Sequence, residues 1–112
     1  MRQILLDTNF ILSCMKNKID FFDYLNTEGY NVIIPKQVIN ELEGLKKESA
    51  LRLLEKNKFK MISLTGKIVD NSIINYANKN PSIIIATLDK ELQRKIKNRK
   101  MIIRGKKRLE II

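Results

Sequence analysis

Four acidic residues adjoin apolar segments of this 112-residue chain and could do chemistry together: Asp7, Glu41, Asp70 and Asp89. Carboxylates within about 4 to 6 Å of one another repel, so a cluster of them must take up protons or bind a cation. Oxygen ligands without nitrogen or sulfur select a hard cation, so the ion expected at such a cluster is Mg²⁺ or Mn²⁺. A metal held there would activate water and stabilise charge on a phosphate.

The residue types exclude most other catalytic chemistries. The chain has no His, which excludes Ser-His-Asp and Cys-His nucleophiles, His bases and His metal ligands. Its single cysteine, Cys14, excludes an intrachain disulfide and a multi-cysteine zinc site. The chemistry must therefore rest on carboxylates, amides, hydroxyls and lysines.

Each acid, taken singly, also has a structural explanation. Asp7 and Asp89 could cap the helices that follow them, each contributing about 1 kcal/mol. Glu41 and Asp70 could be early-turn acids that complement the amino ends of their helices. Capping alone accounts poorly for four acids whose segments all lead to one edge of a sheet.

The net charge of +10 is concentrated in one segment, residues 90–108, called here the basic tract. It holds ten basic residues against one acid, Glu91. Such an excess favours a polyanion as partner, and nucleic acid first, although a solvated lysine-rich surface is the alternative. The cations expected to contact it are Lys90, Arg94, Lys95, Arg104, Lys106, Lys107 and Arg108. The few aromatic residues lie mostly in apolar faces, so base stacking is not predicted.

Apolar runs of strand length alternate with segments of helical period. Strands are predicted at 2–6, 30–34, 59–64, 82–87, 100–104 and 107–112. Helices are predicted at 8–16, 19–28, 36–45, 48–57, 69–80 and 88–99. This alternation predicts a single α/β domain over residues 1–112, with a mostly parallel central sheet. Because ligands bind at the carboxyl ends of parallel strands, Asp7 and Asp89 are expected at the same edge. No apolar run approaches the length of a membrane span, and we expect a cytoplasmic protein.

The sequence resembles a PIN domain, the small metal-dependent ribonuclease fold, over nearly its whole length. The matching segments are LLDTNFIL, IPKQVINELEGL, VDNSIINYA and IIATLDKELQRKIK, in that order. The resemblance implies a three-layer fold with helices on both faces of the sheet, and an acidic cluster of Asp7, Glu41, Asp70 and Asp89. It implies metal binding by Asp7, Asp70 and Asp89, with Glu41 completing the site or orienting water. It also implies support from Thr8, Asn9 and Thr87.

Within the family, the basic ending of the chain looks more like the branch that processes ribosomal RNA than the branch of toxin ribonucleases. Many relatives in that branch carry two consecutive acids before the fourth strand, whereas here Asn71 follows Asp70. The amide of Asn71 can hydrogen-bond a metal-bound water but brings no charge.

The function implied is an endoribonuclease that leaves a 5′-phosphate and a 3′-hydroxyl. The alternatives are a non-catalytic RNA-binding or assembly module and a toxin ribonuclease held by an antitoxin. A homodimer and a ribosome-assembly partner are further expectations.

Overall fold

The computed structural model describes residues 2–66 and 68–112, apart from the side chains of Val69 and Asp70. The strands are β1 Arg2–Leu6, β2 Tyr30–Pro35, β3 Lys60–Ile62, β4 Ile84–Ala86, β5 Lys100–Arg104 and β6 Arg108–Ile111. The helices are α1 Thr8–Lys16, α2 Phe21–Thr27, α3 Lys36–Gly44, α4 Glu48–Glu55, α5 Val69–Lys79 and α6 Lys90–Arg94.

The strands form one six-stranded sheet in the order β3-β2-β1-β4-β5-β6. Every neighbouring pair is parallel except β5 and β6, which form an antiparallel hairpin. The chain order reverses around β1, which pairs with β2 on one side and β4 on the other. Such a reversal opens a crevice at the carboxyl ends of the two central strands, where open α/β sheets bind ligands.

The two faces of the sheet are covered by different helices. Side chains alternate along a strand, so Ile4 and Leu6 of β1 join one apolar cluster and Leu5 joins the other. The first cluster includes Phe10, Phe21 and other residues from α1 to α4, and the second includes residues from α5 and α6. The predicted three-layer α/β fold is confirmed.

The main difference from the prediction is the basic helix, which was expected over 88–99 and is observed only over Lys90–Arg94. The helix ends before Asn98, whose side chain makes tertiary hydrogen bonds instead of lying on a helix face. Its buried side-chain amide donates hydrogen bonds to the carbonyl oxygens of Asn80 and Ile83, at 2.9 and 2.8 Å. These bonds tie the segment after α6 to the turn between α5 and β4.

Smaller differences lie at element ends. The third strand was expected over 59–64 and is observed over Lys60–Ile62. The second strand was expected over 30–34 and extends to Pro35, which is also the N-cap of α3. None of the helices in the described part of the chain has the length and hydropathy that crossing a membrane requires.

Candidate active site at the carboxyl edge of the sheet

Asp7 lies between β1 and α1 and is 5% exposed. Its backbone N–H donates to the carbonyl of Ala86 at 3.0 Å, which extends the contact between β1 and β4 by one residue. Its Oδ1 accepts from the backbone N–H of Thr8 at 2.8 Å, and its Oδ2 accepts from the Thr87 hydroxyl at 2.9 Å. The carboxylate is therefore fixed in orientation from both oxygens.

Thr87 connects Asp7 to Asp89. It is fully buried, and its hydroxyl oxygen accepts from the backbone N–H of Asp89 at 3.2 Å while donating to Asp7. Its carbonyl accepts from Nε2 of Gln93 at 2.7 Å, which holds α6 against the end of β4. The Thr87 hydroxyl thus contacts both Asp7 and Asp89, and its support of a catalytic site stays a prediction. Sequence reasoning missed Gln93, whose only signal is its place one helical turn after Asp89.

Asp89 is half-buried and caps α6. Its Oδ1 accepts from the backbone N–H groups of Glu91 and Leu92, at 2.9 and 3.3 Å. The capping explanation of Asp89 is thus correct, and Asp7 also stands at the N-cap of α1. Capping does not compete with a role in chemistry here, because a carboxylate has about four lone-pair sites and these bonds leave some of them available.

Thr8 brings Glu41 into the same network. The Thr8 hydroxyl is buried and donates to Oε1 of Glu41, on α3, at 2.7 Å. Glu41 itself is exposed, so one of its oxygens faces a buried hydroxyl while the residue reaches solvent. A continuous set of contacts therefore runs from Glu41 through Thr8, Asp7 and Thr87 to Asp89.

The other predicted site residues are placed less fully. The backbone puts Asp70 in the first turn of α5, but its side chain lies outside the described residues. Asn71 is exposed and lines, with Asp89, a cavity of about 290 Å³. Asn9 is exposed, and its amide makes no hydrogen bond to any described residue, so its expected support is not seen as a contact.

The approach to α5 is fastened to α3 by a residue that sequence reasoning also missed. Gln37 donates from Nε2 to the carbonyl of Leu64 at 2.7 Å and accepts the Leu64 N–H at 3.2 Å, as a neighbouring strand would. Two residues later Gly66 has a φ of +108°, and a Cβ there would lie 2.8 Å from Oγ of Ser72. The hydrogen bonds of Gln37 hold the segment before α5 against α3, the helix that carries Glu41.

The predicted RNA-binding cations are exposed and lie on α6 and at its C-cap, at the end of β5, in the turn before β6 and at the first residue of β6. Two of them are paired: Arg94 with Glu91 at 2.6 Å, and Arg104 with Glu110 at 2.7 Å. The hydrogen bond from Arg104 is the main cause that lowers the pKa of Glu110. Within the described residues the other five form no ion pair: Lys90, Lys95, Lys106, Lys107 and Arg108.

The donor atoms of the site suit a hard divalent cation. Asp7, Glu41 and Asp89 offer only oxygen atoms as ligands. The single thiol of the chain, that of Cys14, has its pKa raised to about 12 by burial and therefore stays protonated. Across the described residues, which leave out the Asp70 side chain, no three or more His, Cys, Asp or Glu side chains are grouped to hold a metal ion. The described part of the edge thus supplies suitable ligand chemistry without a complete ligand set.

Comparison with known proteins agrees with this geometry. The family model described as "PIN like domain" matches residues 4–107. The chain belongs to the PIN-like domain family. The Ribonuclease VapC4 of Methanocaldococcus jannaschii is 36% identical over 129 aligned residues, which cover 99% of this chain and 97% of that protein.

Other relatives of this PIN-like chain are named for rRNA processing. The rRNA-processing protein fcf1 of Schizosaccharomyces pombe is 34% identical over 84% of this chain, and the human FCF1 homolog is 32% identical over the same share. The chain spans about half the length of these two relatives, 53% and 51%. In three dimensions it matches the PIN domain endonuclease Utp24 with a TM-score of 0.84 and 28% identity, covering 97% of this chain and 90% of that one. The family expected from the sequence is confirmed, and rRNA-processing proteins are among its relatives.

Proposed function

We propose that this PIN-like chain is an endoribonuclease that uses Mg²⁺ or Mn²⁺ to hydrolyse RNA phosphodiester bonds, in the processing of rRNA or another RNA. The observation that carries the proposal is the hydrogen-bonded network from Glu41 to Asp89 at the carboxyl edge of the sheet. Relatives named as a ribonuclease, as rRNA-processing proteins and as an endonuclease support it.

In this proposal Asp7, Asp70 and Asp89 hold the metal, and Glu41 orients the attacking water. A bound divalent ion would supply a more acidic water and charge stabilisation at the phosphate. Thr87 keeps the carboxylate of Asp7 facing the site by donating to its Oδ2, and Thr8 does the same for Glu41. Such partners restrict the rotation of the acids before substrate arrives. Attack in line with the leaving 3′ oxygen would give a 5′-phosphate and a 3′-hydroxyl.

The proposal is tested by incubating the protein with a structured RNA in Mn²⁺, Mg²⁺ or EDTA and determining the chemistry of the fragment ends. Asp7→Asn should lower the cleavage rate by at least about 100-fold, because it removes a charged group at the reacting centre. Asp23→Asn is the matched control, since it makes the same change in an exposed residue of α2. Cleavage by Asp7→Asn at the parent rate would refute the site. RNA binding without cleavage in any metal would favour the non-catalytic module.

The basic tract would hold the RNA backbone beside this edge. Changing Lys106, Lys107 and Arg108 to Gln should flatten the dependence of RNA affinity on salt, by roughly 0.7 to 0.9 in log–log slope for each phosphate that the variant no longer neutralises. The control changes three exposed lysines at the other end of the sheet order, Lys56, Lys58 and Lys60, to Gln. Equal slopes for the two triple variants would show that the basic tract is an ordinary solvated surface.

A second candidate is a toxin ribonuclease restrained by a partner protein. It is favoured by the match to a protein that is named as a ribonuclease and whose name does not mention rRNA. This match extends over nearly the whole of both chains. It predicts that expression in bacteria arrests growth and that Asp7→Asn relieves the arrest. Normal growth with active enzyme present would exclude it.

A further inference from the structure

A second cavity lies at the far end of the carboxyl edge from the acids. It measures about 360 Å³ and forms where the loop between α1 and α2 meets the start of β6. Its polar lining consists of Lys18, Asp20, Tyr24, Lys107 and Arg108. Among the acids whose side chains the structure describes, neither Asp7 nor Glu41 nor Asp89 lines it, so it is distinct from the network at those residues.

The strand register places the Arg108 side of this cavity beyond the carboxyl end of β4. Met101 of β5 pairs with Ala86, the last residue of β4, so Arg104 extends three residues beyond that pair. Arg108, which lines the cavity, pairs with Arg104. Two strand spacings separate β4 from β6, or about 10 Å. A strand of nucleic acid lying on the acids could therefore continue into the cavity.

The cavity combines an aromatic ring with positive charge. Tyr24 is 37% exposed and is the one exposed aromatic residue in the described part of the chain. Three cations line the cavity with it, against one carboxylate, Asp20. Oδ1 of Asp20 also accepts from the backbone N–H of Asp23 at 3.1 Å and so caps α2, and the cations outnumber this acid. Tyr24 therefore departs from the apolar setting of the other aromatic residues, on which the expectation of no base stacking was based.

We infer that this cavity binds a nucleotide of single-stranded RNA, with the base stacked on Tyr24 and the phosphates held by Lys18, Lys107 and Arg108. The inference rests on the proposed function for the identity of the polymer. Stacking requires a free base face, which a single strand offers and a duplex does not.

The first test measures the affinity for a labelled short oligoadenylate and for an RNA duplex of equal length, both in EDTA. Tyr24→Ala should weaken single-strand binding about 5- to 150-fold and leave duplex binding unchanged. Tyr24→Phe keeps the ring and should bind as the parent does, while Tyr24→Leu keeps only apolar bulk and should behave as Tyr24→Ala. Unchanged single-strand affinity in Tyr24→Ala, or an equal loss on both RNAs, would overturn the inference.

A second test reports on the cavity directly. The chain contains no Trp, so Tyr24→Trp introduces a unique fluorophore. Its emission should change on saturation with oligoadenylate and not with duplex. Met61→Trp, at an exposed position of β3 on the opposite edge strand, is the control and should not respond. Identical emission of Tyr24→Trp with and without saturating oligoadenylate would also overturn the inference.

Both tests are independent of turnover. If the oligonucleotide binds in a Tyr24-dependent manner and no RNA is cleaved in any metal, the nuclease proposal fails and the nucleotide site stands. If RNA is cleaved normally and Tyr24→Ala binds single strands as the parent does, the nuclease stands and the nucleotide site fails.

Discussion

The substitution Thr87→Val should separate the effect of the Thr87 hydroxyl from the effect of the shape of its side chain. Val has nearly the same volume, but it cannot donate to Oδ2 of Asp7 or accept from the N–H of Asp89. A hydrogen bond to a charged group contributes about 1.5–3 kcal/mol to stability. The N–H of half-buried Asp89 also loses its acceptor, but it can donate to water instead, at a cost below about 1 kcal/mol. The methyl group that replaces the hydroxyl adds buried apolar surface, which offsets up to about 0.8 kcal/mol of this loss in stability. We therefore expect the free energy of unfolding to fall by about 2 kcal/mol.

The measurement is urea unfolding in EDTA, followed by circular dichroism, with the free energy extrapolated to water. For a domain of this size the melting temperature should fall by roughly 8 °C. Thr87→Ser is the matched variant, because it keeps both hydrogen bonds and loses only a buried methyl, at about 1 kcal/mol. RNA cleavage should fall about 10- to 100-fold in Thr87→Val, the usual effect of removing a partner that orients a metal ligand, and should be nearly normal in Thr87→Ser.

A Thr87→Val protein as stable and as active as the parent would refute this reasoning, since the hydroxyl would then hold neither acid. Thr87→Ser losing as much activity as Thr87→Val would refute it differently, because the methyl and not the hydroxyl would then matter.

Two further predictions concern charge and pH. Glu110→Gln should strengthen RNA binding and steepen its salt dependence, because Arg104 loses its ion-pair partner and becomes available to phosphate; a filter-binding titration that shows weaker binding would contradict this. The Cys14 thiol has its pKa raised from 9.0 to about 12 by burial, so between those values the unfolded chain releases a proton that the folded chain keeps. Stability should therefore fall as the pH rises above 9, by about 1.4 kcal/mol per pH unit more than in Cys14→Ala. Parallel stability curves for the two proteins would show that Cys14 does not titrate in this way.

The hydrophobic pattern predicted most of the fold because the central strands are buried on both faces. The run RQILL and the run SIIIAT lie beside each other as β1 and β4, and the acids after them reach the same edge. The basic helix was predicted too long since Leu88, Leu92 and Ile96 have helical spacing, whereas the tertiary hydrogen bonds of Asn98 require another backbone path. Periodicity carries no information about such distant partners.

The same limit applies to the site. Asp7 and Asp89 could be predicted to lie at one edge because each follows the end of a strand, but the hydroxyl of Thr8 reaching Glu41 across 33 positions has no signal in the sequence. Glu110 was overlooked as the partner of Arg104 because it lies beyond the basic tract, and only the register of the β5–β6 hairpin brings the two together. Tyr24 was grouped with the aromatic residues of apolar faces. Its neighbours Phe21 and Phe22 are indeed buried, whereas Tyr24 is exposed.

The hydrogen bond between Asp7 and Thr87 joins residues 80 positions apart. During translation Asp7 is therefore synthesised 80 residues before Thr87. The β1–β4 pairing that brings them together must then form before the acids can meet. Under the proposed function, a nascent chain is inactive until both strands have been made and have paired, although it is surrounded by ribosomal and messenger RNA.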